Sequence, residues 1–177
     1  MESFLTQYFC WTLDLPFLST SMMRYWLRKI KDASFSSSGG SFLMKKVRSS
    51  RGKGKGIPQS LRAFARVMSC TSSQELSDLA VEASQNDGRL ARYPSINQRK
   101  ELQAHQILLS LLDKLIQKYD LSIKSLHALK SATNSRAFML RRQMAWDLLS
   151  GEVEILRSAS VWLKNYCFSC QQQSLIL

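Results

Sequence analysis

The helical spacing of apolar residues is the feature that most constrains the fold of this 177-residue chain. A helix predicted from Ser95 to about Tyr119 carries apolar side chains every three or four positions, in a stripe wider than a surface helix needs. The stripe consists of Leu102, Leu108, Leu109, Leu111, Leu112, Leu115, Ile116 and Tyr119. No convincing run alternates apolar and polar residues with the period of a β-strand. The segment is therefore predicted to be the central helix of an all-α protein.

Further helices are predicted on both sides of the central one. Their expected starts are Pro58, Ser72, Asp120 or Ser122, Ser135 and Glu152, and Gly151 is expected to end the helix from Ser135. Proline in a first turn and Ser, Asp or Asn as caps are typical helix starts, whereas glycine often follows a helix end. The body is thus predicted to be a bundle of about five helices with short connections.

The N-terminal part of the chain carries most of the net charge of +12. Residues 33–41 are rich in Ser and Gly, and further glycines follow up to Pro58, a composition typical of flexible linkers. Residues 1–57 are therefore predicted to be a mobile basic arm with a short amphipathic helix. The helical domain is predicted at 58–170, and a C-terminal tail at 171–177.

The arm contains a run of cations without any acid, and these are candidate contacts for nuclear import or RNA. They are Lys45, Lys46, Arg48, Arg51, Lys53 and Lys55. Such a run can fill the acidic pockets of an importin or release counterions from RNA. Aromatic residues that stack on single-stranded bases are missing between Phe42 and Phe64, so import is favoured and non-specific RNA contact comes second.

The amphipathic helix is expected at Met22 to Lys31, where apolar residues and cations share a helical period. Packing on the core or in a partner's groove is favoured over contact with an anionic membrane. Asp14 and Pro16 interrupt the apolar opening, so neither a transmembrane segment nor a cleaved leader is predicted. The four cysteines are expected to be free thiols in a reducing compartment.

Motifs for catalysis or cofactor binding are absent from the sequence, which predicts neither an enzyme nor a cofactor. His105 and His127 have no ligand-spaced neighbours and are predicted at helix surfaces or boundaries. Cys167 and Cys170 have the spacing of a zinc-binding pair, but a structural site needs four ligands. They are weak metal candidates, and no metal site is predicted.

Three segments resemble the C proteins of paramyxoviruses, particularly those of the morbillivirus type. The stretch "RVMSCTSSQELSDL" presents Arg66, Val67, Ser73, Gln74, Leu76 and Leu79 in the family's order. "LSIKSLHAL" at 121–129 and "MLRRQMAWDLL" at 139–149, with Trp146, are similar to the family's two C-terminal helices. The resemblance covers about residues 60 to 165; the apolar N-terminal segment and the Cys167–Cys170 pair have no counterpart in it.

This resemblance implies a small viral accessory protein, a virulence factor with no enzymatic activity. Its expected partners are the viral polymerase with its phosphoprotein, host innate-immune signalling proteins and importin. Regulation of RNA synthesis and antagonism of the interferon response are the implied functions, with shuttling between host cytoplasm and nucleus. The alternative is a basic helical protein that sequesters duplex RNA or suppresses RNA silencing.

A docking surface is predicted on the helical body, because about five short helices would leave part of the central stripe uncovered. Leu108, Leu112 and Leu115 are candidates for the centre of a homodimer interface, the commonest assembly of small proteins. Trp146 and Trp162 are candidates for anchoring a partner, since tryptophan is enriched at binding hot spots. The alternative is that both tryptophans belong to the core.

Overall fold

The computed structural model describes residues 3–5, 42–50, 53–128 and 136–174. Its helices are α1 (Gln59–Met68), α2 (Ser73–Gln85), α3 (Gln98–Ala128) and α4 (Arg136–Ser174). Two three-residue strands, β1 (Ser3–Leu5) and β2 (Phe42–Met44), pair antiparallel with Phe4 opposite Leu43. The predicted all-α class is confirmed, with four helices in place of about five.

The short helices α1 and α2 begin at the predicted signals. Pro58 precedes α1, and the Ser72 hydroxyl accepts a hydrogen bond from the Glu75 amide at 3.2 Å, which caps α2. At the end of α2, Asp87 and Gly88 adopt positive φ angles, and the Gly88 amide donates to the Ala83 carbonyl at 2.7 Å. These local bonds satisfy backbone groups that a helix end leaves open.

The long helices α3 and α4 are each continuous where two shorter helices were predicted. Ser122 does not start a new helix, because its hydroxyl donates back to the Lys118 carbonyl at 3.1 Å within α3. Gly151 does not end one either, although an interior glycine costs about 1 kcal/mol relative to alanine. Asn97, and not Ser95, caps α3: its side-chain oxygen accepts from the Lys100 amide at 3.2 Å. Ser135 lies outside the described residues.

The core lies where α1 and α4 both pack against α3. Its largest fully buried side chains include Phe64 of α1, Leu108 and Leu112 of α3, and Leu156 and Trp162 of α4. The fully buried residues of α3 stop at Leu112, and those of α4 begin at Val153. Among the side chains that the structure describes, the distal halves of the two helices, 113–128 and 136–152, therefore carry none that is buried. None of the described helices is apolar over enough of its length to span a bilayer.

The packed body begins before Pro58, the predicted boundary of the arm. Met44, Val47 and Ile57 are buried in the core, and the Lys45 amide donates to the Gly56 carbonyl at 2.9 Å. The Val47 amide donates to the Ser158 hydroxyl of α4 at 2.9 Å. Residues 42–50 and 53–57 thus cover one side of α4. The predicted amphipathic helix at 22–31 lies outside the described residues, and α4 runs into the predicted C-terminal tail as far as Ser174.

Gly54 allows the basic segment to lie directly on the Trp162 ring. Its φ of +62° is one that glycine adopts easily, and a Cβ atom at this position would lie 2.7 Å from two ring atoms of Trp162. Because Trp162 is fully buried, its ring has no space into which it can move. No larger side chain fits between this loop and α4.

Replacing Gly54 with alanine is expected to lower the free energy of unfolding by about 1–3 kcal/mol, from the clash and the unfavourable φ. Urea denaturation followed by circular dichroism measures the change. Lys55→Ala, at an exposed neighbouring position, is the control and should change stability by less than about 0.5 kcal/mol. Equal stabilities of the two variants would contradict this packing of the loop.

Candidate functional site

The predicted import or RNA-contact segment is a folded loop over its described part. Lys46 pairs with Glu154 of α4, and the side chains of Arg48, Lys53 and Lys55 are exposed to solvent. Lys45 is exposed as well, while Arg51 lies outside the described residues. The cations are therefore presented from a surface whose backbone is bonded to α4. Import and RNA contact stay predictions for this loop.

The predicted interface residues divide between core and half-buried positions. Leu108, Leu112 and Trp162 are each 1% exposed and belong to the core, so they do not form an accessible dimer centre or partner anchor. Leu115 and Trp146 are half-buried. The wide stripe of α3 is covered because α1 packs on one part of it and α4 lies along it. For Trp162, the core alternative is the correct one.

A buried ion pair joins α1 to α3. The Arg66 guanidinium donates from Nε to the Glu101 carboxylate at 2.8 Å, and its Nη2 lies 2.7 Å from the same oxygen. Nη2 also donates to the Tyr93 carbonyl at 2.9 Å. Tyr166 of α4 donates its hydroxyl to the other Glu101 oxygen at 3.2 Å. One carboxylate thus connects three helices.

The ionisation of this cluster follows from its burial and its contacts. Burial opposes ionisation of Glu101, but the hydrogen bonds and charge of Arg66 outweigh it and lower the pKa of the carboxyl group. Burial raises the pKa of the Tyr166 hydroxyl, and the negative charge of Glu101 adds to that effect. Glu101 is therefore ionised and Tyr166 protonated at neutral pH, so the cluster holds one positive and one negative charge.

His105 is buried, although the sequence predicted it at a helix surface or boundary. Its ring stacks on Tyr166 at a centroid distance of 4.4 Å, and its Nδ1 lies 2.8 Å from the Glu101 carbonyl oxygen. That carbonyl can only accept, so Nδ1 carries the proton. The Glu101 carboxylate attracts a proton to His105, but burial outweighs this attraction and lowers the pKa of His105. The imidazole is therefore neutral. The side chain of His127 lies outside the described set.

The described cysteines form no disulfide, and their thiols have little nucleophilic character. Burial raises the pKa of Cys70 to about 12 and that of Cys167 to about 11, and it also raises the pKa of Cys170. Thiols with such pKa values hold their protons at neutral pH, whereas both attack and metal binding use the thiolate. In the described part of the chain, no three His, Cys, Asp or Glu side chains are grouped to hold a metal ion.

An open cleft of about 450 Å³ lies between α2 and the start of α3, with Arg66 and Cys70 at its α1 side. Glu75, Asp78 and Glu82 of α2 line it, and Lys100 of α3 pairs with Glu75 at 2.7 Å. Hydrogen bonding to Lys100 is the main reason that the pKa of Glu75 falls to about 2. The cleft was not predicted from the sequence, although the spacing of Glu75, Asp78 and Glu82 places three acids on one face of a helix.

Exposed apolar side chains concentrate on the first half of α4. Leu140, Met144 and Leu148 stand four residues apart on one helical face and are 62%, 62% and 56% exposed. Phe138 and Met139 adjoin them with lower exposure. These five residues are called the α4 apolar surface below. It lies on the distal part of the α3–α4 hairpin, beyond the fully buried core.

A comparison with protein families matches residues 29–156 to the model described as Rubisco LSMT substrate-binding. This range covers well over half of the chain and includes α1, α2, α3 and the first half of α4. The chain belongs to this family. Both the cleft and the α4 apolar surface lie within the region shared with the Rubisco LSMT substrate-binding family. No curated protein and no solved structure is significantly similar to the chain.

Proposed function

We propose that this chain is a substrate-binding module that docks a protein through the α4 apolar surface. The observation that carries the proposal is the exposure of Leu140, Met144 and Leu148 on one face of a helix. Apolar residues scattered singly on a surface need no explanation, but a contiguous stripe favours an interaction site. The family name describes substrate binding, and Rubisco is itself a protein.

The chemistry of the described residues supports binding over catalysis. The cysteine thiols are protonated, His105 is buried and neutral, and the Arg66 and Glu101 charges are used on each other. By contrast, methionine and leucine on an exposed helix face can adapt to a partner and exclude water from its contact. The α4 apolar surface thus provides affinity without a reacting group. The prediction that the chain is not an enzyme is retained as part of the proposal.

Surface plasmon resonance on immobilised, purified Rubisco tests the proposal. The variant Leu140→Ser/Met144→Ser/Leu148→Ser should bind at least tenfold more weakly than the parent chain, because it removes three adjacent apolar contacts. Val161→Ser is the matched control, since Val161 is also exposed on α4 but lies outside the α4 apolar surface. Undiminished binding by the triple variant would contradict this docking surface, and a parent chain that does not bind would contradict Rubisco as the substrate.

The functions implied by the resemblance to paramyxovirus C proteins stay predictions. They comprise polymerase regulation, interferon antagonism and nuclear shuttling, and neither the fold nor the family match tests them. The RNA-binding alternative also stays open as a prediction. Both viral accessory function and substrate binding use a helical body as a docking surface, so the α4 apolar surface is the part of the molecule to test in either case.

A further inference from the structure

The cleft between α2 and α3 has a size and lining suited to a short peptide. Its volume of about 450 Å³ lies in the range of pockets that hold small ligands. Apolar Val81 and Ile96 line it together with the acids of α2, and both are largely exposed. An aliphatic chain ending in a cation would contact both kinds of lining.

Two of the three acids in the cleft have neutral donors as partners. Asp78 accepts a hydrogen bond from the Gln74 amide at 2.9 Å, and Glu82 accepts one from the Ser95 hydroxyl at 3.1 Å. Within the described residues, neither carboxylate takes part in a salt bridge, whereas Glu75 is neutralised by Lys100. Asp78 and Glu82 are four residues apart, so both lie on one face of α2. A cation between them would meet two uncompensated negative charges.

A buried donor of Arg66 provides an independent indication of a ligand. Arg66 lines the cleft but is only 4% exposed, and its Nε and Nη2 atoms are used by Glu101 and Tyr93. Its Nη1 atom is buried and has no hydrogen-bond partner among the described residues. A buried donor without an acceptor is costly, so an acceptor entering from the cleft would be favoured. A backbone carbonyl is such an acceptor.

We propose that this cleft binds a short segment of a protein through one lysine or arginine side chain. The cation pairs with Asp78 and Glu82, its aliphatic stem lies on Val81 and Ile96, and a backbone carbonyl of the segment accepts from Arg66 Nη1. This inference deepens the proposed function, on which it rests, by naming a basic segment as the part of the substrate that the cleft recognises.

A titration followed by nitrogen–proton correlation spectra of the full chain tests the inference. The probe is the peptide acetyl-Ala-Lys-Ala-amide, and the comparison peptide has norleucine in place of lysine. We expect the lysine peptide to shift amide signals of α2 and the start of α3, with at least tenfold weaker binding of the norleucine peptide. Equal binding of the two peptides would overturn the role of the cation.

Variants assign the binding to the acids of the cleft. Asp78→Asn/Glu82→Gln should bind the lysine peptide at least tenfold more weakly. Asp147→Asn is the matched control, because Asp147 also accepts from a glutamine four residues earlier, Gln143, but lies outside the cleft. Unchanged affinity of the double variant would overturn the proposal. Both variants should retain the circular dichroism of the parent chain. A separate comparison tests the backbone contact with Arg66: n-butylammonium, which has no carbonyl group, should bind the parent chain at least fivefold more weakly than the lysine peptide.

The cleft and the α4 apolar surface can fail separately. The Leu140→Ser/Met144→Ser/Leu148→Ser variant should bind the lysine peptide with the affinity of the parent chain, since its changes lie outside the cleft. Loss of Rubisco binding with retained peptide binding therefore supports both sites. If the peptide does not bind while the parent chain binds Rubisco, the inference about the cleft is wrong and the proposed function stands.

Discussion

Replacing Glu101 with alanine is expected to lower the free energy of unfolding by about 3–5 kcal/mol, because it leaves the Arg66 guanidinium buried without a counterion. The change also removes the acceptor of the Tyr166 hydroxyl and of the Ser95 amide. Small domains have about 5–15 kcal/mol of stability in total, so such a loss would unfold a substantial fraction of the chain. Urea denaturation monitored by circular dichroism provides the measurement.

The control for this prediction is an ion pair on the surface. Arg157 of α4 and Asp120 of α3 also connect two helices, with an N–O distance of 3.0 Å, but the Arg157 side chain is 60% exposed. Asp120→Asn should therefore change stability by less than about 1 kcal/mol, because water compensates the lost partner. If Glu101→Ala proved no more destabilising than Asp120→Asn, the connection of three helices through the Glu101 carboxylate would not stabilise the fold as described above.

Replacing Trp162 with alanine is expected to lower the free energy of unfolding by about 3–5 kcal/mol. The indole is 1% exposed, lies 5.0 Å from the Tyr166 ring centroid and supports the loop at Gly54. Its removal would leave a cavity that the rigid core cannot fully close. Near-ultraviolet circular dichroism should lose intensity together with the stability.

Val161→Ala is the comparison for the tryptophan, since Val161 precedes it on α4 and is 51% exposed. That variant should stay within about 0.5 kcal/mol of the parent chain, as surface substitutions usually do. The pair of variants separates core from surface on one helix. A stable Trp162→Ala chain with weakened partner binding would restore Trp162 as the interface anchor that the sequence suggested.

Local signals of helix formation were read correctly in the first half of the body. Pro58 and the Ser72 cap mark the starts of α1 and α2, because the signals that start a helix act within a few residues of its end. The same kind of signal failed at Ser122 and Gly151. There, a hydroxyl bonds back within α3, and α4 continues through a glycine. A weak local signal does not end a helix when the segments before and after it are held in helical form by packing.

Charge was the harder property to interpret. The cations from Lys45 to Lys55 suggested a free tail, yet Met44, Val47 and Ile57 around them are buried. These three apolar residues are spread too widely to form a helical period, so the pattern did not identify them as core. Arg66 and Glu101 are separated by more than 30 residues, and no sequence spacing pairs them. The three acids of the cleft can be recognised in the sequence. The sequence does not show, however, that Lys100 neutralises only one of them, Glu75.

The sequence by itself determined the all-α class, the order of the helices and the central position of the Leu-rich α3, because hydrophobic period and caps act over a few residues. Only the tertiary structure decided which side chains are buried and which remain available to a partner. Leu112 and Leu148 each adjoin a second leucine within a predicted helix, yet one is 1% and the other 56% exposed. The difference arises because α1 and the second half of α4 cover the first half of α3, whereas the distal hairpin extends beyond that cover. Burial depends on contacts between distant segments, and a helical period specifies only the face that needs covering.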